Sequence, residues 1–429
     1  MSFLSIPIIV KVLASLAVIL ILSRFFKKLY LPILMGTATL ALWCGFNASG
    51  VIKVIQLRML DMNNLFLLLT ITQIITLSNQ MSKTGVMKEL VSIIRRHISQ
   101  RAAMAVLPAI IGFLPMPGGA IFSAPLVDDC DQQQNIQPLI KTKINYWFRH
   151  IWEYWWPLYP GVLLAIEISG LTTWQFMLIQ FPFCLFSILC GYLFLLCRIP
   201  QEKNPVKPKQ QLSDWHTLFK LLSPIAIVII VAIIAKLIYP ALLDISRFMP
   251  IAIGLCCAVA LLQWQRPLSL HKWSKIIFSK ALVNLLLVVI SIRLYGAFIS
   301  SELPGGALLV ETMRQELFDL GIPVVLIIMM IPFITGFTTG IAIGFVGASF
   351  PIVFSLLGAD PQLSELLAAN VLAFGFGYMG MILSPVHVCL IVSNQHFKTG
   401  IASSLKGLMK PAAIMLGFTL LYYGLIKLF

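Results

Sequence analysis

Charged side chains are scarce in this chain: only 11% of its 429 residues are Asp, Glu, Lys or Arg, about half the usual share. A water-soluble globule of this length is thereby excluded. Acidic residues are the rarer kind, 16 against 31 Lys and Arg. Such an excess of bases would suggest nucleic acid in a soluble protein, but here the bases lie between apolar runs, as charges flanking membrane spans do, so no nucleic-acid partner is expected. Metal-ligand and disulfide spacings are missing too, since all of the eight cysteines except Cys130 lie in apolar runs. No Gly-x-x-x-x-Gly-Lys-Ser/Thr occurs, which argues against an ATP-driven pump in one chain. There is also no His-Glu-x-x-His, no Gly-x-Ser-x-Gly and no pair of intramembrane aspartates, so an intramembrane enzyme acting on lipid or peptide is disfavoured. No resident cofactor or metal is expected. The first apolar run has no basic stretch before it and no small-residue cleavage site after it, and it reads as a retained span.

Apolar residues make up 59% of the chain, in runs of about 17 to 25 residues, long enough to cross a bilayer. The lipid bilayer is therefore its first partner. Spans are expected at 4–22, 30–46, 62–80, 154–170 (with an approach from about 142), 173–197, 221–239, 248–264, 281–300, 363–395 and 406–427. Two further apolar stretches, 102–130 and 321–357, are divided by Pro115-Met116-Pro117-Gly118-Gly119 and by Gly336-Phe337-Thr338-Thr339-Gly340. Their arms are too short to cross and return, so both read as re-entrant hairpins. The elements recur in the same order at an offset of roughly 220 residues, and a unit with an odd number of crossings must repeat inverted. The expected fold is an all-α integral membrane protein of two inverted repeats, each of five spans plus one hairpin. The first repeat is 1–197, a cytoplasmic linker is 198–220, and the second repeat is 221–429. With Lys11, Lys236 and Arg293 set aside because they fall within spans, 23 of the 31 bases fall on one side of this arrangement and only Lys53, Arg58, Arg247, Arg314 and Lys427 on the other. That split puts both termini outside, hairpin 102–130 opening from the cytoplasm and hairpin 321–357 from the outside.

Backbone that is not helical at membrane depth is tolerated only where protein or a water-filled cavity satisfies its polar groups, so hairpin turns and helix breaks point to a site. Four such features exist: the two turns, and the breaks Pro157-Leu158-Tyr159-Pro160-Gly161 and Ser384-Pro385-Val386-His387. Free N–H groups at half-helix N-termini suit an anion, and free carbonyls at C-termini suit a cation. The candidate residues for substrate or ion are Pro117, Gly118, Gly119, Ser123, Tyr159, Gly161, Thr335, Thr338, Thr339, Gly340, Ser384 and His387. Against them stand commoner roles: a proline kink, glycine packing, a hydroxyl bonded to its own helix, a structural imidazole. Arg293, deep in its span, is a candidate for substrate or ion-pair duty, with Glu167 as its partner. The aromatic stretch Asn145 to Trp156 reads first as a belt where the helix enters from the cytoplasm. Asn145, Arg149, His150 and Glu153 on adjacent turns give the alternative of an inner mouth or a hairpin contact.

At these residues the sequence resembles a prokaryotic family known only as domain of unknown function 401, placed in the ion-transporter superfamily with gluconate, citrate, dicarboxylate and arsenite carriers. The resemblance is carried by Phe113 to Pro125, Asn145 to Gly161, Phe333 to Pro351 and Leu383 to Leu390, and covers nearly the whole chain. It implies two inverted repeats with substrate at the hairpin turns, an elevator-like movement of a transport domain, a homodimer, and residence in the prokaryotic cytoplasmic membrane. The turns here read Met-Pro-Gly-Gly and Phe-Thr-Thr-Gly, where the sodium-dicarboxylate branch has Ser-Asn-Thr. The expected function is secondary active transport of a small solute, an organic anion, coupled to H⁺ or Na⁺. A channel or passive exporter without a tight site is the alternative.

Overall fold

A computed structural model describes residues 6–26, 28–116, 119–131, 134–199, 212–358 and 360–428. Among them every regular element is a helix, apart from an isolated β-bridge between Glu302 and Leu308. Six helices are long and apolar enough to cross a membrane: Met62–Lys83, Thr173–Phe194, Asp214–Ile238, Leu270–Ile299, Leu363–Ile382 and Ile401–Leu428. A seventh is added if Leu309–Asp319 and Val324–Thr339, bent by 113° at their break, count as one span. The sequence-based spans at 4–22, 30–46 and 248–264 are shorter helices, Ile8–Leu22, Tyr30–Trp43 and Met249–Gln265, of 15, 14 and 17 residues. At 1.5 Å per residue they fall short of a core of about 30 Å. The reason is local: Tyr30–Trp43, for example, stops just before the left-handed Gly45 (φ 79°).

Helices also form outside the expected spans. Ala48–Met59 starts at Asn47, whose side chain accepts from Gly50 N at 2.8 Å, an N-cap, and Leu270–Ile277 precedes the span it leads into. The linker is shorter than expected: residues 200–211 lie outside the described residues, but 212–220 already belong to the helix Leu212–Ile238. Asp214 near that helix's start holds Arg96 at 3.4 Å and His97 at 3.6 Å.

The first broken stretch folds as Gln100–Gly112 and Ala120–Cys130, packed on each other, and the second as Val324–Thr339 and Ala342–Ser355, likewise packed together. The stretch 142–170 is no continuous span. Pro138–Arg149 and Pro160–Ser169 are separated by turns over 150–159, a longer interruption than Pro157–Gly161 alone suggests. Pro385 splits 363–395 into Leu363–Ile382 and Val388–Phe397.

Packing between the halves is reciprocal. Tyr30–Trp43 lies on Lys280–Ile299, while Met249–Gln265 lies on Met62–Lys83; Pro160–Ser169 lies on Ala342–Ser355, while Val388–Phe397 lies on Ala120–Cys130. Close backbone approach draws the broken elements together. A Cβ on Gly336 would overlap the Gly377 carbonyl, one on Gly380 the Phe333 carbonyl, and one on Gly112 the Arg149 carbonyl. Small residues at such crossings allow van der Waals contact between helices where lipid supplies no hydrophobic drive.

Candidate functional site

The two turns and two breaks meet in one place. Tyr159 OH donates to the Gly112 carbonyl, tying the first break to the first hairpin. Tyr146 OH donates to Ile382 O at 2.9 Å and Tyr378 OH to His150 O at 2.5 Å, so the two broken helices hold each other through carbonyls that their interruptions leave free. Ser384 Oγ donates to Phe337 O at 2.6 Å, joining the second break to the second hairpin. Gly340, in the left-handed region at φ 63°, passes so close to the second break that a Cβ would lie 2.9 Å from His387 N. Gly161 abuts Ala342, and the Ala120 N–H faces the Cys389 thiol.

Helix starts converge here. Ala120–Cys130, Pro160–Ser169, Ala342–Ser355 and Val388–Phe397 all begin at the junction, and none has a side-chain cap. Of the helices that begin elsewhere, those starting at Asn47, Ser99, Thr172, Ser279 and Gln362 have such caps, while others, Ile8–Leu22 and Met249–Gln265 among them, have none. Free N–H groups and the positive end of the helix dipole favour an anion.

One side chain adds a full charge. Arg149 is 2% exposed, at the end of Pro138–Arg149. Its Nη2 donates to Met116 O at 2.9 Å, and its guanidinium lies flat against Gly119, where a Cβ would collide with it. Its Nη1 is 3.8 Å from Glu153 Oε1 and 3.5 Å from His150 Nε2. The Nε–H, buried, has no hydrogen-bond partner among the described residues. A buried arginine donor left over is costly unless something accepts it.

Beside it, His150 Nδ1 lies 2.6 Å from Tyr146 O and His150 Nε2 lies 3.1 Å from His387 Nε2, the rings meeting edge to face at 89°. With the Cys389 thiol these two histidines form a group of three metal-capable donors, all within 4.8 Å of one another. The Arg149 guanidinium, 3.5 Å from His150 Nε2, opposes a divalent metal ion there, whose two charges it repels more strongly than the single charge of a proton.

The residues expected from sequence sort as follows. Gly119, Tyr159, Gly161, Gly340, Ser384 and His387 are at the junction; Pro117 and Gly118 lie outside the described residues. Ser123, Thr335, Thr338 and Thr339 are on the hairpin helices, but each hydroxyl donates to a carbonyl of its own chain one turn back, Gly119 O, Pro332 O, Ile334 O and Thr335 O. The aromatic stretch is not a belt. Tyr146, Trp147, Phe148, Tyr154 and Trp156 are buried, and the indole N–H of Trp147 and of Trp152 donate to Ser187 O and Ala109 O. Amphipathic rings are useful inside as well as at an interface, because their polar tips satisfy carbonyls while their faces fill volume. Arg149, His150 and Glu153 lie at the junction, inside the protein. The signal was present, three ionisable residues on adjacent turns amid aromatics, but the same composition is common at membrane surfaces.

Arg293 and Glu167 do pair, away from the junction. Arg293 Nη2 is 3.0 Å from Glu167 Oε1, Arg247 Nε is 3.5 Å from Glu167 Oε2, and Arg293 also bonds Asn64. They line one side of a cleft of about 320 Å³ with Gly296, Ser300, Pro351 and Gly358. Glu167→Ala leaves two arginines facing each other without their shared anion. A fully buried pair broken this way costs about 3–5 kcal/mol; with the arginine side chains 22% and 31% exposed, about 1–3 kcal/mol is expected after screening. Thermal unfolding of the detergent-solubilised variant checks this, and a midpoint equal to wild type would contradict it.

An all-helical membrane protein whose interrupted helices and hairpin turns converge on a buried arginine and two histidines is the class these features define. The chain belongs to the family described as "Protein of unknown function (DUF401)", whose model matches residues 9–426. No curated protein matches the sequence.

Proposed function

We propose that this protein is a secondary active transporter of a small organic anion, coupled to H⁺ or Na⁺. The observation that carries the proposal is Arg149: a buried guanidinium with a donor to spare, set where four helix starts without side-chain caps converge. Such a site attracts an anion through both a full charge and partial ones. Placement in the ion-transporter superfamily fits this chemistry.

In this reading the two halves are inverted repeats of five crossings and one hairpin each, and the reciprocal packing of their helices supports a two-fold relation. The shorter helices then cross by local thinning of the bilayer and with the help of flanking residues. Both termini are outside, in a prokaryotic cytoplasmic membrane, and a homodimer forms through the spans that stay fixed. The hairpins and the two broken helices move together as an elevator, joined by the junction contacts and by the glycine crossings.

The first test is thermal stability in detergent against small carboxylates, sugar acids and oxyanions, with and without Na⁺. A ligand at a hundred times its Kd stabilises by about 2.7 kcal/mol; silence across the panel would remove the anion reading. Alternating access is tested with single cysteines in a cysteine-depleted variant. Ile121 and Thr338 are better positions than Gly119, where any side chain collides with Arg149. Their accessibility from the two membrane faces is expected to exchange during transport, and accessibility fixed under every ligand condition would exclude an elevator. Counterflow, stimulated by solute on the far side, is expected of a carrier and not of a pore.

A further inference from the structure

The histidine pair is not explained by anion binding alone. His150 Nδ1 faces the Tyr146 carbonyl at 2.6 Å, and a carbonyl only accepts, so Nδ1 carries the hydrogen and Nε2 presents a lone pair. That lone pair faces His387 Nε2 at 3.1 Å. The gap is a hydrogen bond only if His387 carries its hydrogen on Nε2. His387 Nδ1 is then bare, opposite the Met381 carbonyl at 3.4 Å, longer than an ordinary N–H···O bond. In that tautomer the pair shares one proton and keeps one vacant nitrogen 3.4 Å from an acceptor.

We propose that the His150–His387 pair binds the coupling proton, at His387 Nδ1, and that the driving ion is therefore H⁺ rather than Na⁺. A proton arriving there from water donates to Met381 O without a rearrangement of the rings, and leaves by the reverse step once the site faces the other side. Sodium needs a shell of oxygen ligands. The pair itself offers nitrogen and no oxygen, so it suits a proton and not sodium. The ionisable groups facing the pair are Arg149, 3.5 Å from His150 Nε2, Glu153, 3.9 Å from the same atom and hydrogen-bonded with Tyr159, and the side chains of Tyr146, Tyr378 and Cys389. A proton added beside Arg149 raises the positive charge of the junction, and an anion bound there offsets it. Each then strengthens the other's binding by the same factor. This coupling rests on the anion-carrier reading, whereas the shared proton does not.

Two measurements separate them. In protein labelled with ¹⁵N only at histidine, of which the chain has 6, the rings of His150 and His387, assigned with His150→Gln and His387→Gln, are expected in opposite tautomers and to titrate as one unit. Two rings in the same tautomer, or titrations that ignore each other, would overturn the proposal, and the wild-type spectra decide this even where a variant fails to fold. Gluconate and sulfate, whose own charges are constant between about pH 5 and 8, then serve as binding probes. Their affinity is expected to rise by up to about tenfold per pH unit of acidification, a slope lost in His387→Gln. A slope retained in both variants, or replaced by a requirement for Na⁺, sinks proton coupling. Failure of both anions to bind at any pH falls on the carrier reading, while the nitrogen spectra still decide the pair.

Discussion

Arg149→Met is expected to weaken anion binding by at least tenfold and up to about 150-fold, the equivalent of about 1.5–3 kcal/mol for one hydrogen bond to a charged group. The guanidinium has the only full positive charge placed at the junction among the described residues, and it is 2% exposed. Water therefore screens it little, and the helix starts around it offer only partial charges to compensate its loss. Arg149→Lys is expected to restore part of the binding, because it keeps the charge but not the planar fork. The measurement is the ligand-induced shift in melting temperature as a function of anion concentration. Arg149 also holds Met116 O at 2.9 Å, so each variant's melting temperature without ligand separates lost binding from lost structure. Wild-type affinity in Arg149→Met would place the anion elsewhere, with the cleft at Arg293 as the next candidate.

Gly336→Ala is expected to cost about 1–3 kcal/mol or more by overpacking, although alanine is the better helix former by about 1 kcal/mol. The added carbon has nowhere to go, because it overlaps the Gly377 carbonyl and lies 2.8 Å from Met381 N, backbone atoms that no rotamer can move aside. Gly424→Ala, in the helix Ile401–Leu428, puts the same carbon into open space. It is expected to be neutral or stabilising. Melting temperatures of the two variants measured side by side decide the matter, and equal shifts would mean that the crossing of Val324–Thr339 on Leu363–Ile382 is loose. This crossing also fixes Val324–Thr339 to the helix that leads into the break at His387.

Both expectations draw on features that were legible to different degrees. The positions of the four interruptions follow from proline and glycine, since Pro385 removes a donor inside a helix and Gly340 takes a backbone conformation that other residues resist. The hairpins follow from arms too short to cross. The ends of the short helices were less legible, because an apolar run continues past the point where the helix stops, as at Trp43 and Cys44 before Gly45. Hydropathy registers composition and not hydrogen bonding.

The choice of site residues was legible only in part. Ser123, Thr338 and Thr339 lie on the helices beside the junction, and their hydroxyls turn to their own helices, an option that every serine or threonine in a helix has. Arg149 and His150 lie in a segment whose aromatic composition points to a membrane surface. By itself the sequence determined that the chain is helical and membrane-bound and where its helices break, because each of these depends on local composition or spacing. Only the tertiary structure decided that Arg149, His150 and His387 share one buried site and that Arg293 pairs with Glu167 in another. Those are contacts between residues as much as 237 positions apart, and no local rule of propensity or periodicity encodes which distant partner a side chain will meet.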